Sequence, residues 1–252
     1  MWKPPEGTEK VWVAGATGYT GNALVRLLTE LKIPVVAHIR PASPNRVQVQ
    51  ERFEQWGAQV AICNWELKGL LGEFRSSGAT HVFSLLGTTA AKGRTARKQG
   101  ERADYETVDY GLTLKMLKVA RESGRCERFS YLSAVGVHSG VRSPYMRARA
   151  KAEQEIRDSG LAFTIAQPAL ITGPDREESR PMEAVGDWMA KGVLGLAKWV
   201  GRTSWTENYR TLNARTLAAG MLHAAFDPNF EGKCVSAGEL ARLAEAIGSP
   251  RS

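Results

Sequence analysis

The sequence predicts an α/β fold built on one doubly wound parallel sheet, and three observations carry that prediction. Short apolar runs alternate with helical patterns from residue 11 to residue 167, the signature of parallel strands joined by crossover helices. The first run, Val11-Trp12-Val13-Ala14, meets Gly15, Gly18 and Gly21 at a spacing of three, and a helical pattern follows at once. The chain is 252 residues long with 43% hydrophobic and 24% charged residues, an ordinary globular composition with ample material for a core.

Taken in order, Val11–Ala14 is the first strand and the glycines form the turn after it. Leu24, Leu27, Leu28 and Leu31 then recur at helical spacing. Pro34–Ile39 reads as the second strand, ending at Arg40-Pro41. Ser43 is placed to cap a helix over Pro44–Trp56, and Gln59–Cys63 is a short third strand. A helix from about Leu67 to Ser76 stops at Gly78, and His81–Leu85 is the fourth strand, running into Gly87-Thr88-Thr89. The basic stretch Ala91–Arg102 is a solvated loop or a flap over phosphate or an anionic substrate. A long helix carries Val108, Leu112, Met116, Val119 and Ala120 on one face and ends at Gly124. Phe129–Leu132 is the fifth strand, with Ser133-Ala134-Val135-Gly136 as its exit. Ser143-Pro144 opens the next helix, with Ser as cap and Pro at the first helical position. Tyr145 and Arg149, one turn apart, share a face of that helix. Phe163–Gln167 is the sixth strand. Val235 marks a late strand, and Ala237–Ile247 a closing amphipathic helix.

Composition excludes several classes. The net charge of +8 is spread along the chain with no recognition motif, which argues against nucleic acid. Cys63, Cys126 and Cys234 are odd in number and widely spaced, as expected of reduced, buried thiols in a cytoplasmic protein. Met1–Lys10 has no apolar h-region of a signal peptide, and no segment reaches the roughly 20 apolar residues of a membrane helix. The four histidines show no metal-ligand spacing, so no metal is expected.

The glycine turn carries the first functional signal. A strand–turn–helix leaves first-turn N–H groups unpaired at the positive end of the helix dipole, where a pyrophosphate binds. Gly15 permits the turn, Gly18 lets backbone approach phosphate, and Gly21 lets the helix pack on the strand. Where NAD-binding chains place an acid at the end of the second strand, this one has His38-Ile39-Arg40. The planar fork of Arg40 suits a 2′-phosphate, so NADP(H) is the expected cofactor.

Together these residues resemble the atypical short-chain dehydrogenase/reductases, a Rossmann-fold family. The resemblance runs through the glycine triplet, Arg40, Leu86-Gly87-Thr88-Thr89, Val108-Asp109, Ser133 and the Tyr145-x-x-x-basic pair. Leu86–Thr89 together with Arg176–Pro181 is similar to the Tat-interacting-protein branch, a set of small NADPH-binding proteins. The resemblance implies that Gly15, Thr17, Gly18, Tyr19 and Gly21 hold the pyrophosphate, that Arg40 meets the 2′-phosphate, and that Gly87 and Thr88 line the nicotinamide ribose. It further implies that Ser133 bonds a substrate carbonyl, that Tyr145 protonates it, and that Arg149 stands where the family has Lys. Lys151, two residues beyond Arg149 and about 200° around the helix, cannot take over from the same backbone. Gln167-Pro168-Ala169 replaces the family's Arg-Pro-Gly.

The expected organisation is a single NAD(P)-binding domain over 1–252, with a small, mainly helical insertion at about 175–210. Its Met182, Val185, Trp188, Met189, Val193, Leu196 and Trp199 would wall a substrate pocket, or form a homodimer or protein contact through Trp188–Trp199. The expected function is reduction of a small, fairly apolar carbonyl compound by hydride transfer. The alternative is a non-catalytic NADPH-binding redox sensor or regulatory scaffold.

Overall fold

The computed structural model describes residues 7, 9–88, 104–172 and 210–248. The glycines of the first turn, Gly87, Thr88, Ser133 and Tyr145 lie within them; Thr89, the basic stretch 91–102 and, apart from Arg210, the insertion at 175–210 lie outside.

Among the described residues seven strands form one sheet in the order β3-β2-β1-β4-β5-β6-β9, and every pairing within it is parallel. They are β1 (Val11–Ala14), β2 (Val35–Ile39), β3 (Gln59–Ile62), β4 (His81–Ser84), β5 (Arg128–Leu132), β6 (Phe163–Gln167) and β9 (Lys233–Ser236). A two-stranded parallel ladder pairs β7 (Leu170–Ile171) with β8 (Thr211–Leu212). The α-helices among the described residues are α1 (Tyr19–Glu30), α2 (Arg46–Gln55), α3 (Leu67–Ser77), α4 (Thr113–Ser123), α5 (Pro144–Arg157), α6 (Ala214–Phe226) and α7 (Ala237–Gly248). This is the doubly wound Rossmann-like arrangement expected, and its strand order reverses between β1 and β4.

Alternation along β1 shows how the two faces are filled. Val11 and Val13 enter a core with α1, α6 and α7; Trp12 and Ala14 enter one with α3, α4 and α5. Gly220 of α6 lies so close to α7 that a Cβ there would collide with the Leu240 carbonyl.

Several local expectations change. The second helix starts at Arg46 after Asn45 in a left-handed conformation (φ 52°), so Ser43 is not its cap. Ser143 precedes α5 without a side-chain cap bond, leaving Pro144 at the first position to set the start. The long helix begins as a π-helical stretch, Glu106–Leu112, before α4. Cys63 and Cys126 are half-buried and Cys234 is exposed, which corrects the expectation of three buried thiols. Burial pushes the Cys126 thiol up to about 12 and Cys63 to about 11.

Candidate functional site

The carboxyl ends of β1, β4 and β5 meet at the point where strand order reverses, the place where open α/β sheets take ligands. Gly15 adopts φ +88°, and a Cβ on it would stand 2.8 Å from the Leu85 carbonyl oxygen. A Cβ on Gly21 would strike the Gly15 carbonyl, so α1 can lie against the turn only with glycine there. Gly18 is the N-cap of α1 and supplies no side-chain bond; the first turn holds no acidic residue. These features fit a bound pyrophosphate: the backbone is close, the helix end is uncapped by side chains, and no carboxylate repels an anion. Thr17 and Gly18 are exposed at this turn. The Tyr19 hydroxyl instead reaches across to donate to the Thr172 carbonyl at 3.2 Å.

Arg40 follows β2 directly and is exposed. Gly87 is also exposed, whereas Thr88 is buried.

Beyond the turn lies a buried ionic pair that the sequence did not reveal. Arg149 and Asp109 are 1% and 0% exposed, and Arg149 Nη2 meets Asp109 Oδ1 at 2.9 Å. Asp109 Oδ2 accepts the Thr88 N–H at 2.9 Å. Asp109 is the buried residue of the π-helical stretch, a form that occurs often at functional sites. Arg149 also donates to the carbonyls of Leu86 and Leu132 and to the Tyr131 hydroxyl, joining the exits of β4 and β5. Burial alone would lower the Arg149 pKa, but Tyr131, Tyr145 and Asp109 outweigh it and hold the guanidinium charged. Burial likewise pushes the Tyr131 phenol up.

Tyr145 stands at the start of α5 with the Arg149 guanidinium 5.1 Å from its ring centroid and Tyr105 packed edge-on at 5.3 Å. The shared face expected of Tyr145 and Arg149 is therefore present. Lys151 points elsewhere, into an exposed ion pair with Glu106 at 2.7 Å.

Ser133 joins a different network. Its Oγ donates to Glu153 Oε1 at 2.5 Å, and Gln167 Nε2 donates to the same oxygen at 2.9 Å. Arg157 Nη2 pairs with Glu153 Oε2 at 2.9 Å. Glu153, 2% exposed, was not singled out in the sequence; its place two turns beyond Tyr145 on the buried face was the available signal.

A family model described as NAD(P)H-binding matches residues 15–191, and the chain belongs to that family of NAD(P)H-binding proteins. Among particular proteins, it is similar to Protein fmp52-1, mitochondrial, of Aspergillus terreus, with 28% identity over 84% of this chain and 87% of the relative. It is also similar to Protein FMP52, mitochondrial, of Candida albicans, with 26% identity over 74% and 80%. These relatives overturn the expectation of a cytoplasmic protein, which rested on cysteine spacing and the lack of a signal-peptide pattern. The fold is shared with a Bacillus halodurans protein described as an NAD-dependent epimerase/dehydratase, at a TM-score of 0.65 and 17% identity over 94% of this chain and 99% of that one. A leucoanthocyanidin reductase–NADPH complex from Vitis vinifera has a TM-score of 0.63 and 15% identity, covering 90% and 67%. Among the described residues no helix is long and apolar enough to cross a membrane.

Proposed function

We propose that the chain is a short-chain dehydrogenase/reductase-like enzyme that uses NADPH to reduce a small, fairly apolar carbonyl compound. The observation that carries this reading is the Tyr145–Arg149 pair, with a fixed cation 5.1 Å from a phenol ring at the start of α5. Arg149 ties that helix to the exits of β4 and β5, so the phenol belongs to the same edge of the sheet as the glycine turn.

Gly15, Thr17, Gly18, Tyr19 and Gly21 would hold the pyrophosphate, Arg40 the 2′-phosphate, and Gly87 with Thr88 the nicotinamide ribose. NADPH, when bound, supplies the hydride. Tyr145 gives its hydroxyl proton to the carbonyl oxygen as the carbonyl carbon is reduced, and the phenolate recovers a proton from water. Arg149 acts through Tyr145 as a positioning residue, its charge stabilising the phenolate formed in that step. The whole chain forms one domain in this reading, with 175–210 covering the ligand, and its compartment is mitochondrial, as in the Fmp52 names.

The test is NADPH oxidation over a panel of aldehydes and ketones, with Tyr145→Phe as the variant. General acid catalysis contributes roughly 10²- to 10⁴-fold, so kcat should fall by that range while NADPH affinity stays unchanged. Turnover unaffected by Tyr145→Phe would falsify the role of the phenol. One observation favours a second reading, a non-catalytic NADPH-binding sensor: the hydroxyl proton of Ser133 is already given to Glu153. Tight NADPH binding without turnover on any member of the panel would select it.

A further inference from the structure

A serine hydroxyl has one proton to donate and two lone pairs to accept with. At Ser133 that proton goes to Glu153 Oε1, whose other oxygen is ion-paired with Arg157. A carboxylate in an ion pair only accepts, and hydrogen bonds to it are roughly twice as strong as those between neutral groups. Gln167 completes the arrangement by donating to Oε1. Turning the Ser133 proton toward a ligand carbonyl would exchange a charge-assisted bond inside the protein for a neutral one outside it.

We infer that Glu153 fixes Ser133 as a hydrogen-bond acceptor toward the ligand, so that the group meeting Ser133 is a hydroxyl and not a bare carbonyl. The inference rests on the reductase-like reading and on Ser133 facing the ligand, as the resemblance to the short-chain dehydrogenase/reductases implies, and changes what Ser133 does there. Glu153 is thus a positioning residue that sets the polarity of the contact. The hydroxyl belongs either to an alcohol in the substrate pocket or to the ribose of the nucleotide; both donate in the same way.

The experiment uses the full chain and two sets of binding measurements. NADP+ is titrated alone, and then cyclohexanol and cyclohexanone are each titrated into the NADP+ complex by ligand-observed NMR. One neutral hydrogen bond corresponds to roughly a 2- to 13-fold difference in affinity. If the hydroxyl is the substrate's, the wild-type protein holds the alcohol more tightly than the ketone by that factor. Glu153→Gln, whose amide can donate to Ser133 Oγ and turn the serine proton outward, then gives the ketone the bond it lacked. The alcohol, able to accept as well as donate, keeps its own, so the preference disappears.

Ser133→Ala removes the preference by weakening the alcohol and leaves the Arg157–Glu153 pair in place, which keeps the test decisive if Glu153→Gln does not fold. If the hydroxyl is the ribose's, Ser133→Ala weakens NADP+ by the same factor and leaves the alcohol-to-ketone ratio unmoved. A Ser133→Ala protein that matches wild type in both NADP+ affinity and that ratio overturns the inference. So does a wild-type preference for the ketone that Ser133→Ala abolishes. None of these measurements requires turnover, so a catalytically silent protein would refute the reductase reading while leaving this result standing.

Discussion

The turn after β1 and the buried face of α5 work by opposite means. At the turn, the proposed function depends on side chains that are missing: a Cβ at Gly21 would strike the Gly15 carbonyl, and one at Gly15 would crowd Leu85. On α5, it depends on side chains that are matched: Arg149 with Asp109, and Ser133 with Glu153. The first arrangement is largely local: its three glycines fall within seven consecutive residues. The second joins residues forty and twenty positions apart. A local turn can be damaged without unfolding the sheet, whereas a buried ion pair cannot lose one partner cheaply. The difference separates binding from stability.

The largest effect should come from halving the buried pair. Asp109→Ala leaves a buried guanidinium without its counter-charge, and removing one partner of such a pair costs about 3–5 kcal/mol. Chemical denaturation should show that loss, and replacing both partners (Asp109→Leu with Arg149→Met) should recover most of it. A double variant no more stable than the single one would mean that the bonds to Leu86 and Leu132, not the pairing with Asp109, carry the stability.

Gly21→Val should act the other way round. Forcing side-chain volume against the Gly15 carbonyl displaces the N–H groups proposed to meet the pyrophosphate; overpacking costs about 1–3 kcal/mol, so NADPH affinity should fall by up to roughly 100-fold. Circular dichroism should still show a folded sheet. Global unfolding would erase the contrast between a local turn and a distributed pair.

The smallest effect belongs to Lys151, whose ion pair with Glu106 is exposed on both sides, at 54% and 56%. Lys151→Ala should change stability by less than about 1 kcal/mol and leave cofactor affinity within twofold. A larger loss of turnover would put Lys151, rather than Arg149, behind Tyr145.

The same contrast explains what the sequence disclosed. The glycine triplet, the apolar strands and the helix ends at Gly78 and Gly124, both with positive φ, are written in neighbouring residues. The helix α6 escaped notice because periodicity needs contrast: Ala214, Leu217–Leu222, Ala224 and Ala225 are all buried, leaving no polar face to mark a stripe. The ladder of β7 and β8 pairs two-residue strands some forty positions apart, too short for any alternation to register. At the site, Tyr145 and Arg149 were legible because they sit one turn apart on one helix. Their partners Asp109 and Tyr131 lie on other elements, and only the folded topology brings them to Arg149.

The central claim is that the turn and Arg40 together hold NADPH. Its most direct test is calorimetric titration of NADPH and NADH into the wild-type chain and Arg40→Ala. One charge-assisted contact is worth about 1.5–3 kcal/mol, so the variant should lose roughly 10- to 150-fold in NADPH affinity and stay within about twofold for NADH. Equal losses for the two cofactors would contradict the assignment of Arg40 to the 2′-phosphate.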